Sequence, residues 1–319
     1  MRKEQQQRRT RLRTLKSGDP KTAFHTCSAS EILALYGLPK GLLSTSKKSE
    51  KCGKVGVLNR VLYLTPGVFC PAATPGCLKG CLGHTSGLMQ LPSSTIARDR
   101  RTALYLESND LFMQMLRVEI EHLRENARRL KLTPAVRLNG TSDIPWEILH
   151  PRVFDQFPDV QFFDYTKLHK RVRQFLSGSL GSRKWPANYH LTYSADGSDR
   201  ETSREVLSAG GNVATVFHPV IPTKWWNTCV IDGDEHDARF LDQKGVIVGL
   251  RAKGIAKVDT SGFVVRPCPV CEVDAPEMEI EARDSGTHRT LRQYCRRCAT
   301  FHEARWMLPQ ATQQIAKAA

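Results

Sequence analysis

Two Cys-x-x-Cys pairs near the C-terminal end, Cys268-Pro-Val-Cys271 and Cys295-Arg-Arg-Cys298, are separated by twenty-three residues. This is the ligand spacing of a tetrahedral four-cysteine zinc site. Each pair folds as a tight knuckle that turns two thiolates toward one ion, and the stretch between is long enough for a small hairpin. Zinc bound there would hold together a piece too small to bury a core of its own. Basic residues crowd the piece, Arg296 and Arg297 lying inside the second knuckle. The expectation is a metal-stapled module that touches nucleic acid.

A second group, Cys70, Cys77 and Cys81, is spaced C-x6-C-x3-C on a Gly/Pro-rich loop, CPAATPGCLKGC. Three thiolates on one loop can converge on a single metal centre. On a cubane iron–sulfur cluster they would leave one iron open, which is the requirement for reductive cleavage of S-adenosylmethionine. Radical enzymes of that class usually space their cysteines C-x3-C-x2-C. Alternatively His84, three residues after Cys81, completes a structural zinc site. The remaining reading is three partly buried thiols with no metal.

The elements that would position these groups follow from hydrophobic patterning. Val55 to Leu64 reads as strand, broken at Asn59-Arg60, and leads into the cysteine loop. Leu111, Met115, Val118 and His122 recur at helical spacing, so a helix capped at Asp110 is expected to run to about Lys131. Ala135–Asn139, Val160–Tyr165, Tyr189–Tyr193, Val213–Phe217 and Val246–Leu250 are short apolar, β-rich runs. Helix-like stretches lie between several of them: basic Thr166–Leu176, and Ser198–Ser208 with Ser198 and Glu201 spaced as a capping box. Alternating strand and helix predict an α/β fold with a parallel, barrel-like core of partial TIM type. Residues 27–60 read as short turns, 255–266 as a final strand, and the stretch after Trp306 as a short helix. The expected division is a disordered basic arm (1–22), the α/β barrel-like domain (23–262), a zinc ribbon (263–304) and a tail (305–319).

In parallel α/β folds ligands gather at the carboxyl ends of strands. Asp143, Asp164, Lys167, Asp196 and His218 each follow a predicted strand and are the candidate catalytic residues, facing one pocket near the cysteine loop. Each of these residue types also serves ordinary turns and helix caps. The acidic run Asp232 to Asp237 could bind a hard cation or form a solvated turn.

The chain has 319 residues, 47 Lys and Arg against 32 Asp and Glu, and a formal charge of +15. Such an excess suits a polyanionic partner. Arg8, Arg9, Arg11 and Arg13 in the arm, Lys170, Arg171 and Arg173 on the basic helix, and Arg296 and Arg297 in the ribbon are the candidate nucleic-acid contacts. Seven of the ten cysteines fall in the two close-spaced groups, and the chain begins without an apolar signal core. Both features predict a cytoplasmic protein without disulfides, and no run of about 18 apolar residues predicts a membrane span. Walker A, H-E-x-x-H, G-x-S-x-G, paired-histidine nuclease and deaminase signatures are absent from the sequence.

The cysteine loop CPAATPGCLKGC, the helix after it, then VRLNGTSDIPWE, FPDVQFFDYTK and YHLTYS together resemble the phage gene product 88 family over roughly residues 55–220. The resemblance implies a radical-SAM-like cysteine loop on a partial α/β barrel. Gly140, Thr141, Ser142 and Asp143 would then sit where such enzymes hold the methionyl amine, with Ser194 and Asp196 beside the cofactor. Leu82 stands where many relatives carry an aromatic residue. The leading expectation is a phage-type iron–sulfur enzyme using S-adenosylmethionine on nucleic acid or a nucleotide-derived substrate. A non-catalytic, zinc-containing nucleic-acid-binding protein is the alternative, and a transglycosylase-like base-modifying enzyme the third.

Overall fold

Strand and helix alternate along the chain much as the apolar runs dictate. The computed structural model describes residues 28–85, 87–197, 199–271, 278–285 and 288–307. The arm with Arg8, Arg9, Arg11 and Arg13, the residue Ser198 expected as a helix cap, and the tail beyond 307 lie outside the described residues; the helix Arg200–Ser208 has Asp199 at its N-cap. Two compact units emerge: residues 1–73, 87–192 and 235–242 form the first, and 74–86, 193–234 and 243–319 the second.

The first unit contains β1 (Leu43–Ser44), β2 (Val57–Leu62), β3 (Thr133–Arg137), β4 (Gln161–Thr166), the small hairpin β5 (Ser179–Leu180) and β6 (Arg183–Lys184), and most of β7 (Tyr189–Ser194). β2 pairs in parallel with β3, and β3 with β4, while β1 runs antiparallel on β2. The helix Asn109–Leu130 covers this sheet. Phe112, Leu116, Ile120, Leu123 and Ala127 recur every three or four residues and are buried, packing with Leu62, Val136, Leu138 and Phe162 where those residues are apolar. Each large side chain so buried stabilises the fold by roughly 1.5–3 kcal/mol. The helix ends where Lys131 turns left-handed (φ 55°). Asp110 lies in its first turn and not at the cap, where a carboxylate still meets the positive end of the helix dipole.

Three local expectations are corrected. β2 runs unbroken through Asn59-Arg60, because buried Asn59 directs its amide toward the Cys52 sulfur. Residues 27–60 hold a helix, Ala29–Tyr36, closed at its start by a reciprocal Ser28–Glu31 capping box. A second unforeseen helix, Pro92–Glu107, buries Arg98, Asp99 and Thr102, polar residues that hide its periodicity.

The second unit takes the end of β7 and continues with β8 (Val213–Phe217), β9 (Lys224–Trp225), β10 (Thr228–Asp232), β11 (Ile247–Arg251) and β12 (Val264–Val265). β8 pairs in parallel with β7, β11 and β12, and β10 pairs in parallel with β11. Only β9 is antiparallel, on β10. β8 and β11 are nearly continuous apolar runs, as parallel strands buried on both faces must be, while β10 is only partly buried. The segment expected as one strand over 255–266 is a 3-10 turn, Gly254–Val258, followed by the short β12.

The C-terminal ribbon is the antiparallel meander β13 (Met278–Asp284), β14 (His288–Cys295) and β15 (Phe301–Met307). Residues 301–307, placed partly in the tail by the sequence, are therefore strand. Leu291 and Ala304 on its inner face bury against Val258. That shared core ties the ribbon to the rest of the second unit. In neither unit do the described strands close into a barrel. What is seen is a mixed α/β fold with largely parallel strands.

Candidate functional site

β2 and β3 are parallel neighbours, so the chain leaves both at the same edge. The turn after β3 is stitched there to the segment that opens the cysteine loop. Gly140 N donates to Leu62 O (2.9 Å), Thr141 Oγ1 to Leu64 O (2.5 Å) and Asp143 N to Phe69 O (2.7 Å). The Cys70 thiol approaches Thr141 O at 3.7 Å. Glycine is required at 140 because a Cβ would lie 2.6–2.7 Å from Tyr63, Val61 and the Leu62 carbonyl. A carbonyl fixed in a strand cannot give way. Gly140→Ala is therefore expected to destabilise the protein by about 1–3 kcal/mol, read as a lowered urea midpoint; an unchanged midpoint would refute the close approach.

Behind the turn lies a buried polar network. Asp143 Oδ1 accepts from Arg171 Nη1 at 2.6 Å, and Oδ2 accepts from Thr166 Oγ1 and Lys167 N. Arg171 grips Glu147 through two 2.8 Å bonds and also donates to the Tyr189 hydroxyl. Tyr189 in turn donates to Asp164, which also accepts from Asn139 N and Nδ2. Asn139 Oδ1 collects Ser142 Oγ, Ile144 N and Trp146 Nε1. Burial raises the Asp143 carboxyl while Arg171 opposes the rise, and burial pushes Asp164 up to about 7.

Two expected roles change on this geometry. The Arg171 side chain is 3% exposed and committed to two carboxylates, so it is not a nucleic-acid contact. Its neighbours Lys170 and Arg173 are exposed. Asp164 is fully buried and faces the network, not a substrate pocket. In the sequence Asn139 reads only as the end of a strand, and the one signal of Glu147 is a carboxylate within the apolar run IPWEIL.

In the second unit, Thr74 caps the helix Pro75–Gly80 by accepting from Cys77 N, and its hydroxyl donates to Asp196 at 2.6 Å. Asp196, just beyond β7 and Ser194, thus anchors the helix that carries Cys77. Cys77 and Cys81 are of intermediate exposure in this unit, as is Cys70 in the first. Asp232 and Asp234 pair with Arg251 and Lys253, while Asp237, in the first unit, is buried beside Arg137 and Lys48. The acidic run is an ion-paired turn.

His218 closes β8, with its backbone N donating to Val265 O. Burial, then the nearby Arg266, His302 and Lys257, hold its ring down to about 4. Between that value and the ordinary 6.5 the unfolded chain binds the extra proton, so His218 contributes stability that is complete above about pH 6.5 and fades toward pH 4. In a His218→Asn variant this part of the acid-side slope is expected to vanish. NMR should place the wild-type ring's midpoint near 4, and a midpoint near 6.5 would exclude the effect.

The four C-terminal cysteines do meet. Their sulfurs all lie within 4.8 Å of one another, with Cys268–Cys298 at 3.4 Å and both Cys271–Cys295 and Cys271–Cys298 at 3.7 Å. Val270 N donates to the Cys268 sulfur, and Ala299 turns left-handed (φ 56°), as the two knuckles require. The hydroxyl of Thr300 lies 3.0 Å from Cys298 and heads the causes that lower its thiol to about 6; such a thiol is largely a thiolate at neutral pH, the form that ligates metal. The cluster can hold a metal ion. Arg296 and Arg297 beside it are exposed, Arg296 pairing with Glu279.

These features define a parallel-stranded α/β protein with a four-cysteine metal-binding cluster. Within that class the chain belongs to the gene product 88 family, which it matches over residues 38–267. The match is wider than the motif series and stops one residue short of Cys268. No curated protein and no solved structure matches the chain. Among the described residues, no helix is long and apolar enough to cross a membrane.

Proposed function

We propose that this protein is an iron–sulfur enzyme of radical-SAM-like type, acting on nucleic acid or a nucleotide-derived substrate, with the ribbon as a structural zinc site. The observation that carries this reading is the turn 140–143 bonded to the start of the cysteine loop at the carboxyl edge of adjacent parallel strands, where α/β folds place their ligands. Cys70, Cys77 and Cys81 would hold the cluster, and three cysteine sulfurs are the donor set that leaves one iron open. When bound, the cluster supplies one-electron reduction of a sulfonium cofactor. Thr141 and Ser142 direct their hydroxyl protons to Leu64 O and Asn139 Oδ1, so their oxygens remain acceptors for the cofactor's ammonium. On this reading the parallel strands are an open, partial barrel, Asp196 positions the cysteine helix, and Ser194 faces the cofactor. Zinc suits the ribbon because zinc–sulfur bonds of about 2.3 Å give tetrahedral edges of about 3.8 Å, close to the 3.4–3.7 Å contacts present. A reducing cytoplasm is the compartment such thiols need.

Cys77→Ala separates this reading from a second zinc site. Loss of iron and sulfide with an unchanged melting temperature is the expected result. Loss of one zinc equivalent with a sharply lowered melting temperature would make the loop structural.

Exposed Lys170 and Arg173 on one helix, and Arg296 and Arg297 on one knuckle, favour a second reading: a non-catalytic zinc protein that grips nucleic-acid phosphates. Affinity for single-stranded DNA or RNA that falls steeply with salt, in protein without iron, would support it. No observation favours base exchange.

A further inference from the structure

The inner face of the ribbon carries polar side chains where its packing calls for apolar ones. Gln293 and His302 are direct partners across β14 and β15, so their side chains share one face. That face also holds Leu291 and Ala304, buried against Val258. Gln293 is 0% exposed. Its Nε2 finds no hydrogen-bond partner within the protein, nor do the Nε2 atoms of His302 and His218. The His218 and His302 rings stand edge to face, their centroids 5.6 Å apart. Buried polar nitrogens are normally satisfied; the Gln293 amide, with two imidazoles able to carry their proton on Nε2, places three potential donors side by side with no acceptor from the protein.

The fourth member sets the sign of the ligand. Arg266 follows β12, whose Val265 pairs with Phe217 beside His218. Its side chain is buried, and it donates to three neutral oxygens: Gln293 Oε1, Lys257 O and Asp259 O. The nearby Asp259 carboxylate takes its hydrogen bonds from Ser261 and Val264. The Asp259 carboxylate opposes the cost of burying Arg266 only through space, so a guanidinium hydrogen-bonded to neutral oxygens is stabilised further where an anion joins it. The positive field of Arg266 and Lys257 at His218 also argues against a cation on the two imidazoles. The His218 ring is partly exposed, although its Nε2 is buried.

We infer that His218, Gln293 and His302, around the Arg266 guanidinium, form a binding site for a phosphoryl group. Several donors converging from different strands suit an anion with several acceptor oxygens. The phosphoryl group comes either from free phosphate or from a nucleic-acid chain. The site lies wholly in the second unit and does not depend on an iron–sulfur cluster.

The test uses the full-length, metal-loaded protein. Imidazole NMR signals of His218 and His302 are followed during titration with inorganic phosphate, and separately with a single-stranded oligonucleotide. Saturable shifts of both rings by phosphate are expected for a small-anion site. Shifts produced by the oligonucleotide alone assign the site to a backbone phosphate. His302→Phe and Gln293→Leu should each weaken the productive titration by about tenfold or more, the loss of a charge-assisted hydrogen bond, with zinc content and circular dichroism unchanged as the check on folding. If neither probe moves the rings, or if both variants bind as the wild type does, the site does not exist.

Discussion

Cys295→Ala is expected to release the ribbon's metal and unfold residues 268–307 while the first unit stays folded. Cys295 is buried and completes a four-sulfur cluster. With three ligands left, the coordination energy that folds a small zinc module, about 10–16 kcal/mol in isolated peptides, is largely lost. What remains is Leu291 and Ala304 against Val258, too little apolar surface to order three strands. Metal analysis should show one zinc equivalent lost. Limited proteolysis should cut within the ribbon and spare the helix Asn109–Leu130, whose core is Phe112, Leu116 and Ile120. Co-operative loss of that helix would show the two units to be energetically inseparable.

The second large effect is expected at Arg171. Arg171→Met removes the cation between Asp143 and Glu147 and leaves two carboxylates, 10% and 0% exposed, without it. Breaking a buried pair by removing one partner costs about 3–5 kcal/mol, and Tyr189 loses a donor as well. Urea denaturation should register most of that loss. Adding Glu147→Gln should recover part of it, because a neutral amide tolerates burial better than an unpaired carboxylate. A loss under about 1 kcal/mol would mean that the network relaxes around the gap. The turn 140–143 would feel the change first, since Asp143 is held by Arg171, Thr166 and Lys167 together.

The apolar strands β2, β3, β4, β7, β8 and β11 are legible because parallel strands buried on both faces are short and apolar, and Val213–Phe217 matches its element at both ends; the partly buried β10 (Thr228–Asp232) is not. The four-cysteine cluster was readable because metal-ligand spacing is local in sequence. Helix Pro92–Glu107 was not, since its buried face includes Arg98 and Asp99, and Asp99 is matched by Thr65, 34 residues away. The same reason misassigned Arg171. On a basic helix nothing local distinguishes an arginine that meets phosphate from one aimed inward at Asp143 and Glu147. Gln293, His302 and Arg266 gave no motif at all. They meet only once β14 and β15 pair and β12 lies beside β8.

The proposed iron–sulfur cluster on Cys70, Cys77 and Cys81, with zinc proposed for the ribbon's four-cysteine cluster, is open to one direct test. Anaerobic purification followed by iron, sulfide and zinc quantification, with a visible spectrum, tests it directly. About four irons and four sulfides with one zinc per chain, and broad absorbance near roughly 400 nm, are expected. One or two zincs, no iron and a colourless protein would contradict the proposal and leave a zinc-stapled nucleic-acid-binding protein.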